Sequence, residues 1–478
     1  MTATRQFRVL AIDLFERGVV LRLPFRFGVA TLTACPQAFA RARIAIDGRE
    51  VAGASAELLA PKWFDKNLAL GNDDNFDQLR MSARLARDAY LDGATRTAFG
   101  HAAAHYEEHA AACDVHGLNA LIAGFGASLV DRALLDALCR AANVSFYDAV
   151  RRNLPGVDAA LTPDLAEVDI ASHFATLRPR EAIAVRHTVG LVDAITADDV
   201  ESRIDDGLPE TLEEAIAFYG NRYFKLKVSG DPDADAARML RIAAVVERLP
   251  DYTITLDGNE QYRDAESAAT FWRELESNPS TRRLAAATLY IEQPLPRAAT
   301  LDTDVHALAA LRPLLIDEAD GTLDAFPQSL ACGYTGVSSK QCKGVYKSLL
   351  NSVRCARHLA AGRACFMSAE DLTTQAGLAV QQDTALVNLI GLAHVERNGH
   401  HYVHGFAGQG AAADEARAFA DAQPGLYTGA GDDVRLDVRN GELDLRSLAA
   451  PGFASAAMPD FDTLTPMAEP TSAAVEPR

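Results

Sequence analysis

Hydrophobic and polar positions alternate in short runs over the first sixty residues, and then the period changes. "FRVLAIDLF", "VVLRLPF", "AFARARIAI" and "VAGASAEL", within residues 6–60, carry the pattern of short strands. "ERG" and "IDGRE" between them read as turns. From about residue 74 to 152 the period is helical. "LIAGFGASLVDRALLDALCRAANVSFYDAVRRN" places apolar residues at i, i+3, i+4 and i+7. Residues 1–152 are therefore expected to form an α+β domain. Residues 153–182 hold Pro155, Pro163 and Pro179 and read as a linker or insertion.

From 183 to 404, short β-rich runs alternate with helical ones. The strand candidates are "AIAVRHTV", "YFKLKV", "YTITLD", "TLYIE", "PLLID", "GVSSK", "ACFMS" and "LIGLAHV". Eight strand–helix units predict parallel strands and an α/β fold: a (β/α)8 TIM-type barrel with an N-terminal α+β capping domain. Residues 405–478 have weak strand texture and are expected to return to the cap. They end in "PGFASAAMPDFDTLTPMAEPTSAAVEPR", a proline- and alanine-rich tail with the composition of a disordered segment.

Composition narrows the partners. A net charge of −19 argues against nucleic acid or an anionic membrane, and leaves room for a small anionic substrate held by local cations. The seven cysteines are scattered, odd in number and without a CxxC pair, which suits reduced thiols in the cytoplasm. The first residues lack a basic-then-apolar signal pattern, and no apolar run approaches the ~20 residues of a membrane span.

Five consecutive strand candidates end in a charged residue: Lys227, Asp257, Glu292, Asp317 and Lys340. Their intervals of 30, 35, 25 and 23 residues are each about one βα repeat. All five side chains are expected at the C-terminal rim. Three carboxylates on neighbouring strands form a hard oxygen set suited to Mg²⁺, with Mn²⁺ as a substitute. Lys227 and Lys340, four strands apart in a ring of eight, would face a chelated substrate from opposite sides. Lys225 beside Lys227, with a cation near, is expected to lower a lysine pKa toward general-base range. The implied chemistry is removal of a proton α to a carboxylate, with the metal stabilising the enolic charge.

These residues resemble the enolase superfamily, specifically the muconate lactonizing enzyme-like subgroup of the mandelate racemase/muconate lactonizing enzyme family. The matching pieces are "KLK" at 225–227, "LDGNEQY" at 256–262, "IEQPLP" at 291–296, "PLLIDEA" at 313–319 and the lysine of "SSKQCK" at 340. "LPFRFG" at 23–28 resembles the family's first lid segment, and the resemblance spans most of residues 6–404. It implies metal ligands Asp257, Glu292 and Asp317, acid/base residues Lys227 and Lys340, Lys225 on the substrate carboxylate, and Asn259 supporting the site. It also suggests homo-oligomers. Glu318 is expected to turn away from Asp317 by strand alternation, and Asp320 lies close by. The lysine pair favours racemisation or epimerisation. An acid-sugar-type dehydratase, a cycloisomerase, and a barrel that only binds a metabolite are the alternatives. The last strand region reads "AHVERNGHHYVHG", without the Asp-x-Asp pair of the subgroup's dipeptide epimerases, which weighs against a dipeptide substrate.

Other residues carry weaker signals. Arg26, Trp63, Phe64 and Lys66 lie in lid-like segments; Arg186, His187, Glu396 and Arg397 follow the first and last barrel strands. Arg26 and Glu396 are the preferred additional substrate contacts. His394, His400, His401 and His404 lack zinc-site spacing, "GFGAS" at 124–128 follows no strand of a βαβ unit, and Cys342 has no placed His partner.

Overall fold

The computed structural model describes residues 4–27 and 30–475. Gly28 of the expected lid segment and the outermost residues of both termini lie outside the described residues. The cap sheet is antiparallel and built from β1 (Phe7–Phe27), β2 (Ala30–Ile46) and β3 (Arg49–Leu58), with β4 (Thr95–Arg96) on the free edge of β1. "ERG" is not a turn. Glu16, Arg17 and Gly18 continue β1 and pair with Ala38, Gln37 and Pro36. Their charges are met on the flanks, Arg17 by Glu415 at 2.6 Å and Glu16 by Arg80 at 2.7 Å. A charged triplet with side-chain partners can stay in a strand, so the four expected short strands become three long ones.

The helix Ala120–Ala142 lies across this sheet, and small residues set how closely it packs. A Cβ on Gly53 of β3 would fall 2.1 Å from the Ala137 nitrogen. A Cβ on Gly126 would fall 2.3 Å from the Ser82 backbone in the helix Asn72–Tyr90. "GFGAS" is thus a helix-packing seam, with Ser82 Oγ donating to the Ile122 carbonyl at 2.6 Å.

The barrel strands are β5 (Ala182–Val189), β6 (Tyr223–Lys227), β7 (Thr253–Asp257), β8 (Thr288–Glu292), β9 (Leu314–Ile316), β10 (Gly336–Ser339), β11 (Phe366–Ala369) and β12 (His394–Glu396). Each pairs in parallel with its sequence neighbour from β5 to β11, and β12 pairs with β5. Caps begin the crossover helices: Thr211 Oγ1 accepts from the Glu214 N–H, and Asp231 precedes Pro232.

The stretch 153–182 is structured rather than a plain linker. It carries the helix Ile170–Thr176 with Ile170 and Phe174 buried, and Asp164 pairs with Arg354 of the helix Val345–Ala360 at 2.7 Å. The C-terminal segment serves both domains. The β13 (Tyr427–Thr428)–β14 (Arg435–Leu436) pair is followed by β15 (Glu442–Asp444), antiparallel to the start of β5, and by β16 (Thr465–Pro466) on β1. The tail expected to be disordered is docked through residue 475. Phe453 stacks on Phe146 at 4.0 Å, and Leu464, Met467 and Val475 are buried. Those anchors have no period, so composition alone conceals them.

The late histidines are aromatic packing rather than a metal cluster. His187 meets His401 edge-on at 4.8 Å, His400 meets Tyr219 at 4.8 Å, His394 stacks on Tyr223 at 5.0 Å, and His404 pairs with Asp433. Burial pulls His187 down to about 4 and His394 and His400 to about 3, with His401 well below its usual range. Folded-state values below the unfolded one mean stability that is complete above ~6.5 and is lost as pH falls. Glu57 and Asp131, pushed up to about 7 by burial, act in the opposite sense. Each of these histidines can take up one proton on unfolding, a slope of up to ~1.4 kcal/mol per pH unit apiece. The urea midpoint is expected to drop between pH 6.5 and 5; a midpoint that rises there would contradict the assignment.

Candidate active site

Side chains at the C-terminal ends of the barrel strands converge. Alternation turns Lys225 and Lys227 of β6 inward, with buried Leu226 on the outer side. In the ladder, Lys227 stands opposite Asp257, and Asp257 opposite Glu292. Asp317 follows β9 and Lys340 follows β10. Lys227 Nζ donates to Asp257 at 2.5 Å and to Asn259 Oδ1 at 2.8 Å. Lys340 pairs with Asp317, which also accepts from Ser338. Lys225 Nζ sits among four carboxylates: Asp257 at 2.8 Å, Glu292 at 2.9 Å, Glu370 at 2.7 Å and Glu396 at 3.0 Å.

Loop residues hold this ring. Asn259 donates its backbone N–H to Asp257 at 2.8 Å and its amide to Glu318 at 2.9 Å. Glu318 faces Asn259 and, at 3.3 Å, Lys66 of the cap loop. Gln293 Oε1 accepts from the Asp317 and Ala319 N–H groups at 2.9 and 3.1 Å, fixing the turn that presents Asp317. Asn259, Glu260, Gln293 and Thr373 all hold positive φ, between 34° and 69°, a concentration of backbone strain at one rim.

Lys225 and Lys340 are held up by the carboxylates around them. For Lys225, burial would lower the pKa, but the charges of Asp257, Glu292, Glu370 and Glu396 outweigh it and hold the ammonium well above its ordinary value. Lys340 is likewise buried and is held up chiefly by Asp317. The expected lowering presumes a bound cation that takes these carboxylates away from the amines. Burial pushes Glu292 well above the carboxylate range, and Asp257 and Glu370 add to it; its Oε2, 2.9 Å from Lys225 Nζ, makes no hydrogen bond.

That under-partnered oxygen tests whether a divalent cation suits the site. Asp257, Glu292 and Asp317 form an oxygen-only set from three adjacent strands, the donor chemistry of Mg²⁺ or Mn²⁺. The residues fit such an ion, which would compete with the ammonium groups now facing the same oxygens.

Above the ring lies a small, partly open cavity. Lys227, Lys340, Asp371, Thr373 and Glu396 supply its polar wall, and Phe25, Leu32, Ala60, Trp63 and Leu372 its apolar roof. The Lys340 ammonium lies 4.3 Å from the Trp63 ring centroid. Arg297 and Lys66 tie the cap loop down: Arg297 donates to the Trp63 and Phe64 carbonyls, and both cations pair with Glu260. A second cavity sits between cap helices and Lys343 and touches neither Lys227 nor Lys340.

Several expected contacts are placed elsewhere. Lys225 does not line the cavity. It lies two residues below Lys227, about 6.6 Å deeper along the strand. Arg26 is exposed and outside the cavity wall, because β1 turns Phe25 inward instead. Arg186 lies in the barrel interior on Glu370 at 2.5 Å, Arg397 pairs with Asp383 at 2.7 Å, and His187 packs on His401. Cys342 is buried, which raises its thiol pKa. Glu370 and Lys343 were not expected. Glu370 lies 30 residues after Lys340, one more βα interval, and so was open to the same spacing argument. Lys343 contacts Asp317 at 3.3 Å and Asp320 at 3.0 Å, and Lys347 joins it on Asp320.

Residues 207–426 match the family described as Enolase C-terminal domain-like. Among solved structures, a mandelate racemase/muconate lactonizing protein from Herpetosiphon aurantiacus aligns with a TM-score of 0.60 at 17% identity, over 94% of this chain and 99% of that one. The L-Ala-D/L-Glu epimerase from Bacillus subtilis, in a substrate-liganded complex, aligns at 0.56 and 16%, over 94% and 99%. An enolase from Bradyrhizobium complexed with magnesium and mandelic acid aligns at 0.56 and 18%, over 96% and 97%. At these identities the likeness carries the fold. A comparison with curated protein sequences finds no match. No helix among the described residues is long and apolar enough to cross a membrane.

Proposed function

We propose that the chain, whose residues 207–426 match the enolase C-terminal domain-like family, is a Mg²⁺-dependent enzyme of the enolase superfamily that abstracts the α-proton of a small carboxylate, with racemisation or epimerisation as its reaction. The observation that carries this reading is a cavity lined by both Lys227 and Lys340, which stand on strands four apart in a ring of eight. A carbon held between them presents one face to each amine. One lysine takes the proton and the other returns one to the opposite face. Asp257, Glu292 and Asp317 would hold the cation, whose charge would stabilise the enolate as it forms. Asp257 and Asn259 aim Lys227, while Asp317 and Trp63 aim Lys340. With Asp317 on the cation, either lysine can take the proton while the other returns one, according to the enantiomer bound.

The roof argues for substrate class. Phe25, Leu32, Trp63 and Leu372 make one side of the cavity apolar, opposite Asp371, Thr373 and Glu396, which suits an apolar α-substituent on that side. The test is incubation with Mg²⁺ and a panel of α-substituted acids in D₂O. Incorporation of α-deuterium with inversion supports the proposal. A 2-keto product would replace it with the dehydratase reading, and silence across the panel despite Mg²⁺ binding would replace it with a binding role.

A further inference from the structure

The cap helix Ala98–Val115 contains "HAAAHYEEHAAAC", which puts His101, His105, His109 and Cys113 four residues apart along one helix face. All four are buried, and the barrel reaction uses none of them. His101 is 0% exposed, and its Nε2 lies 3.0 Å from the Phe7 carbonyl oxygen. A carbonyl only accepts, so that nitrogen carries the proton and Nδ1 keeps the lone pair. Nδ1 has no hydrogen-bond partner. His105 is 5% exposed, and neither of its ring nitrogens has one, although Nε2 stands 3.5 Å from Asp92 Oδ2.

Two buried imidazoles with unused nitrogens need a physical reason. Asp92, in the turn before this helix, supplies it. One ligand atom each from Asp92, His101 and His105 lies within 4.8 Å of the others. Bonds of ~2.1 Å at tetrahedral angles would bring such atoms to about 3.4 Å apart, a short side-chain adjustment. We propose that Asp92, His101 and His105 form a divalent transition-metal site in the cap, of the zinc type.

The donor set separates this site from the barrel. Two imidazoles and one carboxylate suit zinc or cobalt, whereas the barrel's oxygen-only trio suits magnesium. The His101–Phe7 hydrogen bond is the outer contact that orients a metal-bound imidazole. Burial lowers both histidine pKa values, so both rings are neutral ligands at physiological pH. Asp92 now pairs with Arg96 at 2.6 Å, a half-exposed contact that costs little to release. His105 also lines the cap cavity, which gives an ion a way in. Bound metal would staple β1 at Phe7, the 91–97 turn and the helix together.

Co²⁺ titration of the chelator-stripped, full-length protein tests this, read by visible ligand-field absorption in excess Mg²⁺. One equivalent is expected to develop the bands of a low-coordinate imidazole site, and Zn²⁺ to bleach them. His105→Gln should weaken Zn²⁺ binding by at least ~100-fold and Asp92→Ala by ~10-fold or more, while Asp317→Asn in the barrel leaves the bands intact. Asp92 lies on an exposed turn, so its variant carries the test should His105→Gln fail to fold. Absent bands in the wild-type chain, or bands unchanged in Asp92→Ala, would overturn the proposal.

Discussion

Lys227→Ala and Lys340→Ala are each expected to lower turnover about 10²–10⁴-fold, the range a positioned acid or base contributes. The two losses have different companions. Lys227 leaves Asp257 still facing Lys225 at 2.8 Å, so the ring keeps its charge balance on that side. Lys340 leaves Asp317 with Lys343 at 3.3 Å as its remaining ion-pair partner and exposes the Trp63 face. Substrate affinity should change little in either, because the amines act on the carbon rather than anchor the carboxylate. Steady-state kinetics on a substrate from the acid panel checks this. A variant within about tenfold of wild type would remove that lysine from the chemistry.

The second large effect is on folding. Lys225→Met keeps the length of the side chain and deletes its charge. Asp257, Glu292, Glu370 and Glu396 would then crowd one another in a buried site without the ammonium now within 3.0 Å of each. Removing one partner from a buried ionic cluster costs about 3–5 kcal/mol. The urea midpoint should fall accordingly, and added Mg²⁺ should recover part of the loss by taking the vacated charge position. An unchanged midpoint would mean that the carboxylates share protons instead of relying on Lys225.

How much of this was legible in the residues follows from what each signal encodes. Strand-end charges at one-repeat intervals report which side chains share a rim, because parallel strands with similar crossovers end at one level. That argument located Asp257, Glu292, Asp317, Lys227 and Lys340 together before any coordinates. Periodicity reports a face but not a depth: the resemblance implies Lys225 on the substrate carboxylate, and the structure sets it two residues below Lys227, off the cavity wall. Glu370 went unread because "ACFMS" was ended at Ser368, two residues early, on the same inward face. The resemblance of "LPFRFG" to a lid segment implies Arg26 over the substrate, whereas the segment continues β1 with Phe25 buried and Arg26 exposed. The Gln293 support of Asp317 depends on a positive-φ turn after β8, a tertiary feature with no local periodicity. The roof formed by Phe25, Leu32 and Trp63 brings cap residues over a barrel site, and only the assembled domains reveal it.

The central claim is that two amines address opposite faces of one carbon. Its most direct test follows α-hydrogen exchange in D₂O by ¹H NMR, starting from each enantiomer of an active substrate separately, in the presence of Mg²⁺. The wild-type enzyme should exchange both. Lys227→Ala should lose exchange from one enantiomer only, and Lys340→Ala from the other only. Exchange of both enantiomers at the wild-type rate in either variant would contradict the claim.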